Sequence, residues 1–213
     1  MLRGSAGADL LDGGDGADTA SYGSSTTAVN AALDGGFASS GDAAGDTFAG
    51  IEYLQGTNAA VGDSLRGDAA INVLTGYNGD DTLRGMSGSD KLTGGAGSDS
   101  LRGDLGNDQY YYNATTEGGD SILDFTNAAN DNDSFAIRST AFGGLPTGTL
   151  AATRFVVRAA DNLAQDGDDT FIFQTSTRQL WYDPTGNATA GDQVLIATLQ
   201  AGATMTNVDV IMF

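Results

Sequence analysis

The sequence predicts an all-β fold, a solenoid of short stacked coils followed by a further mostly β region, and three observations carry that prediction. Asp63, Asn72, Asp81, Asp90, Asp99 and Asp108 fall nine residues apart. Leu65, Leu74, Leu83, Leu92, Leu101 and Tyr110 keep the same spacing, and Gly67, Gly76, Gly85, Gly94 and Gly103 open each unit. No stretch of any length shows a helical stripe, so one large apolar residue per nine must build the core by stacking.

The four most regular units read GYNGDDTLR (76–84), GMSGSDKLT (85–93), GGAGSDSLR (94–102) and GDLGNDQYY (103–111). Glycines at the first and fourth positions are expected to adopt φ > 0, so that six residues turn sharply and aim carbonyl oxygens at one point. The aspartate at the sixth position adds a hard anionic oxygen. Carboxylate and carbonyl oxygens without nitrogen or sulfur suit calcium, which accepts about six to eight oxygens at loosely fixed geometry. The last three residues form a minimal strand whose middle side chain points to one face and its neighbours to the other. A flexible acidic linker would not hold leucine in strict register, and a metal-free solenoid would not need an aspartate at every turn.

These nonapeptides resemble the RTX (repeats-in-toxin, hemolysin-type) family, whose G-G-x-G-x-D-x-U-x units form a calcium-binding parallel β-roll. The resemblance implies that two units make one coil and that turns two units apart hold Ca2+ between them. One edge would then carry Asp63, Asp81 and Asp99, and the other Asp90 and Asp108. Implied carbonyl ligands come from alternate turn residues: Gly76, Asn78 and Asp80; Gly85, Ser87 and Ser89; Gly94, Ala96 and Ser98; Gly103, Leu105 and Asn107. The turn GDAAIN (67–72) departs from the pattern, with Ala70 in place of glycine and Asn72 in place of aspartate.

The 28 acidic residues outnumber the nine basic ones, and all the acids except Glu52 and Glu117 are aspartate, which places the charge in turns. A net charge of −19 argues against nucleic acid and anionic lipid as partners. It also makes the metal-free chain repel itself, so calcium is expected to act as a folding cofactor. With no cysteine and no histidine, disulfides, zinc sites with nitrogen or sulfur ligands, and cysteine or histidine catalysis are excluded. MLRGSAGADLL contains no apolar run suited to a Sec-type signal, so any export signal is expected elsewhere.

Two further units open the chain, GSAGADLLD (4–12) and GGDGADTAS (13–21), with Asp9 and Asp18 at the ligand position. Over about 22–62 the repeat becomes irregular, although Asp46, Phe48 and Leu54 keep traces of it. Within it, residues 23–40 read as a hairpin or loop leaving the roll. In the regular part, alternate strands share a sheet, which stacks Arg66, Arg84 and Arg102 in one row beside Ser64, Thr82 and Ser100. That row is either an anion-binding strip for an acidic polysaccharide or cell surface, or solubilising charge paired with nearby aspartates.

From about 113 to 213 the expected strands are 120–125, 133–138, 154–158, 169–174, 179–183 and 193–199, separated by turns such as GLPTG and DPTGN. QYYYN (109–113) closes a roll spanning 1–112, and the remainder forms a β cap. This half resembles the region that follows RTX repeats in type I secretion substrates, in D-x-I-x-D-F at 120–125, the hairpin 180–199 and the acidic-then-apolar ending NVDVIMF. The resemblance implies a type I transporter as partner at the C-terminus, a secreted bacterial protein, and no catalytic activity in this region. It equally allows an extracellular carbohydrate- or surface-binding module using the outer faces of the roll.

Overall fold

In a computed structural model of the chain, which describes residues 1–36, 39–161, 168–186 and 191–213, the nine-residue repeat becomes a two-walled roll. Each wall is a nine-stranded sheet. The first runs in the order Leu2–Arg3, Thr19–Ser21, Tyr53–Gln55, Val73–Asn78, Lys91–Ala96, Gln109–Tyr112, Ser134–Ile137, Val210–Met212 and Gly148–Thr149. The second runs Asn30–Ala32, Ser64–Arg66, Thr82–Ser87, Ser100–Leu105, Asp120–Ile122, Val194–Leu199, Gln179–Tyr182, Phe171–Gln174 and Phe155–Arg158. Consecutive repeats alternate between walls, so Lys91 pairs in parallel with Val73, and Ser100 with Thr82.

Register explains the core. In the first wall Ala20, Leu54, Leu74, Leu92, Tyr110, Phe135 and Val210 stand opposite one another in turn, all fully buried. In the second, Ala31, Leu65, Leu83, Leu101, Ile122 and Leu199 do the same. A shift by one residue would turn every one of these side chains outward, so the leucine spacing fixes the register. Burial of each leucine contributes about 1.5–3 kcal/mol.

Several expectations are corrected here. The strands Val73–Asn78, Thr82–Ser87, Lys91–Ala96 and Ser100–Leu105 are six residues long, not three, because the first half of the following turn continues the ladder: Gly95 lies opposite Tyr77, and Asp104 opposite Met86. Within 23–40, Asn30–Ala32 does not leave the roll: it pairs with Ser64–Arg66 and ends the second wall. The turn at Phe37 lies outside the described residues, as does part of the 180–199 hairpin tip, residues 187–190.

Both walls run on past residue 112 without a break. There the side chains grow from leucine to aromatic. Tyr110, Phe125 and Phe135 pack with ring centroids 5.3–6.3 Å apart, and Phe142, Phe171 and Tyr182 form a second cluster. Phe171 and Tyr182 of the second cluster lie on the antiparallel strands Phe171–Gln174 and Gln179–Tyr182, which with Val194–Leu199 extend the second wall. Among the described residues the helical segments are four three-residue 3-10 turns, and no helix is long and apolar enough to cross a membrane.

Leu83→Ala opens a cavity in a ladder closed on both sides by Leu65 and Leu101. The expected cost is about 2–5 kcal/mol, read by denaturant unfolding of the calcium-loaded protein. A loss below about 1 kcal/mol would contradict close packing of the ladder.

Candidate metal centre

The acidic position of each repeat sits at the corner where a turn enters a strand, and the strand's inward leucine two residues later holds that corner in place. Two rows result, one along each edge of the roll. Along one, the Asp63 N–H donates to Asp81 Oδ1 (2.7 Å), Asp81 N–H to Asp99 Oδ1 (2.8 Å) and Asp99 N–H to Asp120 Oδ1 (2.9 Å). Along the other, Asn72 N–H donates to Asp90 Oδ1 (2.8 Å), Asp90 N–H to Asp108 Oδ1 (2.8 Å) and Asp108 N–H to Asp133 Oδ1 (3.0 Å). Each of these carboxyl groups is at most 3 % exposed.

The second oxygen of each carboxylate is the informative one. Oδ2 of Asp81, Asp90, Asp99 and Asp108 is buried and receives no hydrogen bond. An anionic oxygen left unpaired away from water is costly unless a cation takes it. A Cβ on Gly76 would lie 2.0 Å from Asp81 Oδ2 and 2.7 Å from the Gly94 carbonyl oxygen; one on Gly85 would lie 2.2 Å from Asp90 Oδ2 and 2.9 Å from the Gly103 oxygen. Gly94 and Gly103 stand equally close, 2.0 Å, to Asp99 Oδ2 and Asp108 Oδ2. A carboxylate oxygen and a carbonyl of the following coil thus converge beside the glycine in the Gly76 and Gly85 cradles. Among the described residues no three acidic side chains converge. The donor set is one of carboxylate and backbone oxygens, which fits calcium.

This geometry changes the reading of the glycines. The first-position glycines do not adopt φ > 0; they are needed because a side chain there would fill the cradle. Positive φ falls instead at the fourth position (Gly79, Gly88, Gly97, Gly106) and at the second, where Tyr77, Met86, Gly95 and Asp104 have φ of 83°, 89°, 112° and 68°. Three non-glycine residues in that region store local strain.

Of the other expected carbonyl donors, Asn78, Asp80, Ser89, Ala96, Ser98, Leu105 and Asn107 lie exposed on the rim and Ser87 is half-buried. The Ala96 and Leu105 carbonyls each accept one hydrogen bond, from Gly79 N–H (2.8 Å) and Gly88 N–H (2.9 Å), and keep a second lone pair. Asp80 Oδ1 accepts from Ser98 N–H (2.8 Å), which ties adjacent turns together. At the first coils Asp9 Oδ2 accepts from Ser5, and Asp9 and Asp18 donate their own N–H groups to Asp46 and Glu52. At the irregular turn, Asn72 Oδ1 accepts from Asp68 N–H (2.7 Å). Sequence reasoning did not place Asp120 and Asp133 in the two rows, or Glu52 against Asp18.

The arginine row is present and balanced. Arg66 pairs with Asp34 (2.9 Å), Arg84 with Asp104 through two nitrogens, and Arg102 with Asp104 (2.7 Å) and Asp124 (3.4 Å). Burial raises the Asp104 carboxyl, but the two guanidinium groups outweigh it and hold it below its ordinary range.

The segments 1–24, 61–92 and 75–110 match the family model of the RTX calcium-binding nonapeptide repeat, in four copies. These segments are RTX repeats, and the protein carries them as a calcium-binding parallel β-roll. Comparison with curated proteins gives no match. Among solved structures, the chain is similar to the solution structure of the AlgE6R3 subunit from the Azotobacter vinelandii mannuronan C5-epimerase, at 24% identity and a TM-score of 0.46 over 70% of this chain and 77% of that one.

Burial pushes Asp81, Asp90, Asp120 and Asp133 up to about 7 and Asp108 up to about 6, from an ordinary value of 3.8. The metal-free fold therefore binds more protons than the unfolded chain between about pH 4 and 7, so its stability falls as pH rises through that window. Calcium competes with those protons, and its apparent affinity falls as pH drops below about 7. Far-UV circular dichroism of the metal-free protein should show a larger folded fraction at pH 5 than at pH 8, and saturating calcium should reverse that order. A metal-free folded fraction that increases from pH 5 to pH 8 would contradict the burial of these carboxylates.

Proposed function

We propose that this chain is the calcium-folded, non-catalytic module of a secreted bacterial protein, unfolded where free calcium is scarce and folded outside the cell. The observation that carries this reading is the set of four buried carboxylate oxygens without a donor at Asp81, Asp90, Asp99 and Asp108. In the absence of a cation, two rows of desolvated like charges oppose coil stacking. Bound calcium supplies the missing charge and contributes its binding free energy to folding. Gly76, Gly85, Gly94 and Gly103 keep space open for the ion, and the backbone N–H groups of the preceding coil hold each Oδ1 so that Oδ2 faces the cradle. Affinities around 10⁻⁴–10⁻³ M, about those of extracellular calcium modules, would set the switch between compartments.

The division into a roll over 1–112 and a cap over 113–213 is part of this proposal, with the boundary marked by the change from repeat to non-repeat sequence. So is recognition of the C-terminus by a type I transporter. Val210–Met212 is a strand docked on Ser134–Ile137, with Val210 and Met212 buried. A transporter reads such a tail only before it docks, which is the state the calcium-poor chain would offer.

A second reading, retention on an acidic polysaccharide or cell surface, finds support on the other wall from the arginine row. Arg3, Lys91 and Arg138 make no ion pair with a carboxylate among the described residues. Arg138 borders a cleft of about 440 Å³ that Thr75, Tyr77, Thr93, Asn113 and Glu117 also line. Tyr77→Ala with Arg138→Ala should weaken retention on an alginate matrix, whereas replacing Arg66, Arg84 and Arg102 should not.

The leading reading is tested by titrating the chelated protein with calcium, with magnesium as control, by far-UV circular dichroism and size-exclusion chromatography. The expected result is a coil-to-β transition with compaction, driven by calcium alone. A chain fully folded in chelator would overturn it.

A further inference from the structure

Each metal row runs from a closed acid through two open acids to a closed acid or amide. In the first row Asp63 and Asp120 flank Asp81 and Asp99. Asp63 Oδ1 and Oδ2 accept from Val29 N–H (2.9 Å) and Thr57 N–H (2.6 Å). Asp120 Oδ1 takes the Asp99 N–H, and its Oδ2 takes the buried Tyr112 hydroxyl (2.8 Å). In the second row Asn72 and Asp133 flank Asp90 and Asp108. Asn72 is neutral, and Asp133 Oδ2 accepts from Thr126 N–H (2.9 Å). Asp46, beside the first coil, repeats the arrangement of Asp120: Oδ1 accepts from Asp9 N–H (2.7 Å) and Oδ2 from the Tyr22 hydroxyl (2.6 Å).

We infer that protein donors terminate the calcium rows, so that metal is confined to the quartet Asp81, Asp90, Asp99 and Asp108 while Tyr112, Thr126 and Thr57 do the cation's work at the ends. The physical reason is competition for the charge of one oxygen. An Oδ2 that already accepts from a hydroxyl or amide hydrogen at 2.6–2.9 Å has one lone pair and part of its charge engaged, so it holds an ion more weakly than the donor-free Oδ2 of the quartet. The end acids need such donors because no further repeat turn stacks beyond them. After Asp120 the next strand, Val194–Leu199, presents Ala197 in register.

This inference rests on the calcium reading, and counting ions on the full chain separates the two. Native mass spectrometry and calorimetric titration are made on the unaltered protein and on Asp99→Asn, Asp108→Asn, Asp120→Asn and Tyr112→Phe. Asparagine keeps the Oδ1 acceptor, and at 120 its amide can donate to the Tyr112 oxygen, so the fold has a partner to replace the one lost. Expected are loss of a bound ion, or at least a tenfold weaker affinity, for Asp99→Asn and Asp108→Asn. Asp120→Asn and Tyr112→Phe should bind the unaltered number, while Tyr112→Phe lowers the metal-free melting temperature at pH 5. Loss of an ion in Asp120→Asn or Tyr112→Phe would overturn the inference, as would an unchanged metal-free melting temperature in Tyr112→Phe. Failure of every variant and of the unaltered chain to bind calcium would instead defeat the functional reading.

Discussion

Everything in this structure depends on one two-sided carboxylate. At the corner of each repeat, Oδ1 of a buried aspartate accepts the N–H of its counterpart one coil earlier, and Oδ2 is left facing a cradle beside a glycine. The first contact ties coils together and sets their spacing; the second makes that tie conditional on a cation. Asn72 shows the neutral alternative at this position: its Oδ1 accepts Asp68 N–H from its own turn instead of an N–H from the coil before, and its Nδ2 is left without a partner.

The leucine ladders supply the opposing free energy. Ten inward positions from Ala31 and Leu54 to Ile122 and Phe135 stack in two files with essentially no exposure. They favour the roll regardless of metal. The carboxylate rows oppose it through desolvation and mutual repulsion, which is why the same acids are pushed towards neutrality when no cation is present. Protons and calcium are thus alternative ways of removing one penalty, and only calcium does so near neutral pH.

The ladders and rows were legible because the repeat writes each position nine residues from the last. What the sequence hid lies where that period breaks. Asp120 and Asp133 follow their partners Asp99 and Asp108 by 21 and 25 residues, where the roll itself uses 18, because loops are inserted before them. A local signal survived the insertions: Asp120-Ser121-Ile122 and Asp133-Ser134-Phe135 repeat the acid, serine, apolar order of Asp99-Ser100-Leu101. The same loss of period concealed the place of Asn30–Ala32 within the roll, since this strand carries small alanines in place of leucine. The role of the first glycine was hidden for another reason. Sequence shows that a residue without a side chain is wanted, but not whether backbone conformation or empty space demands it; here it is space.

Arginine placement shows what a row visible in sequence leaves out. Arg66, Arg84 and Arg102 do stack on one wall, and Asp104, two residues from Arg102 in the same strand, meets two of them, while Asp34 and Asp124 come from segments farther along the chain. Asp104 occupies the second turn position at φ 68°, a conformation that glycine would adopt with less strain, and from there it reaches two guanidinium groups. The strain is offset by charge pairing on a surface otherwise dominated by negative groups. The pairing ties neighbouring coils of the second wall to one another, whereas Lys91 and Arg138 on the first wall make no ion pair with a carboxylate among the described residues.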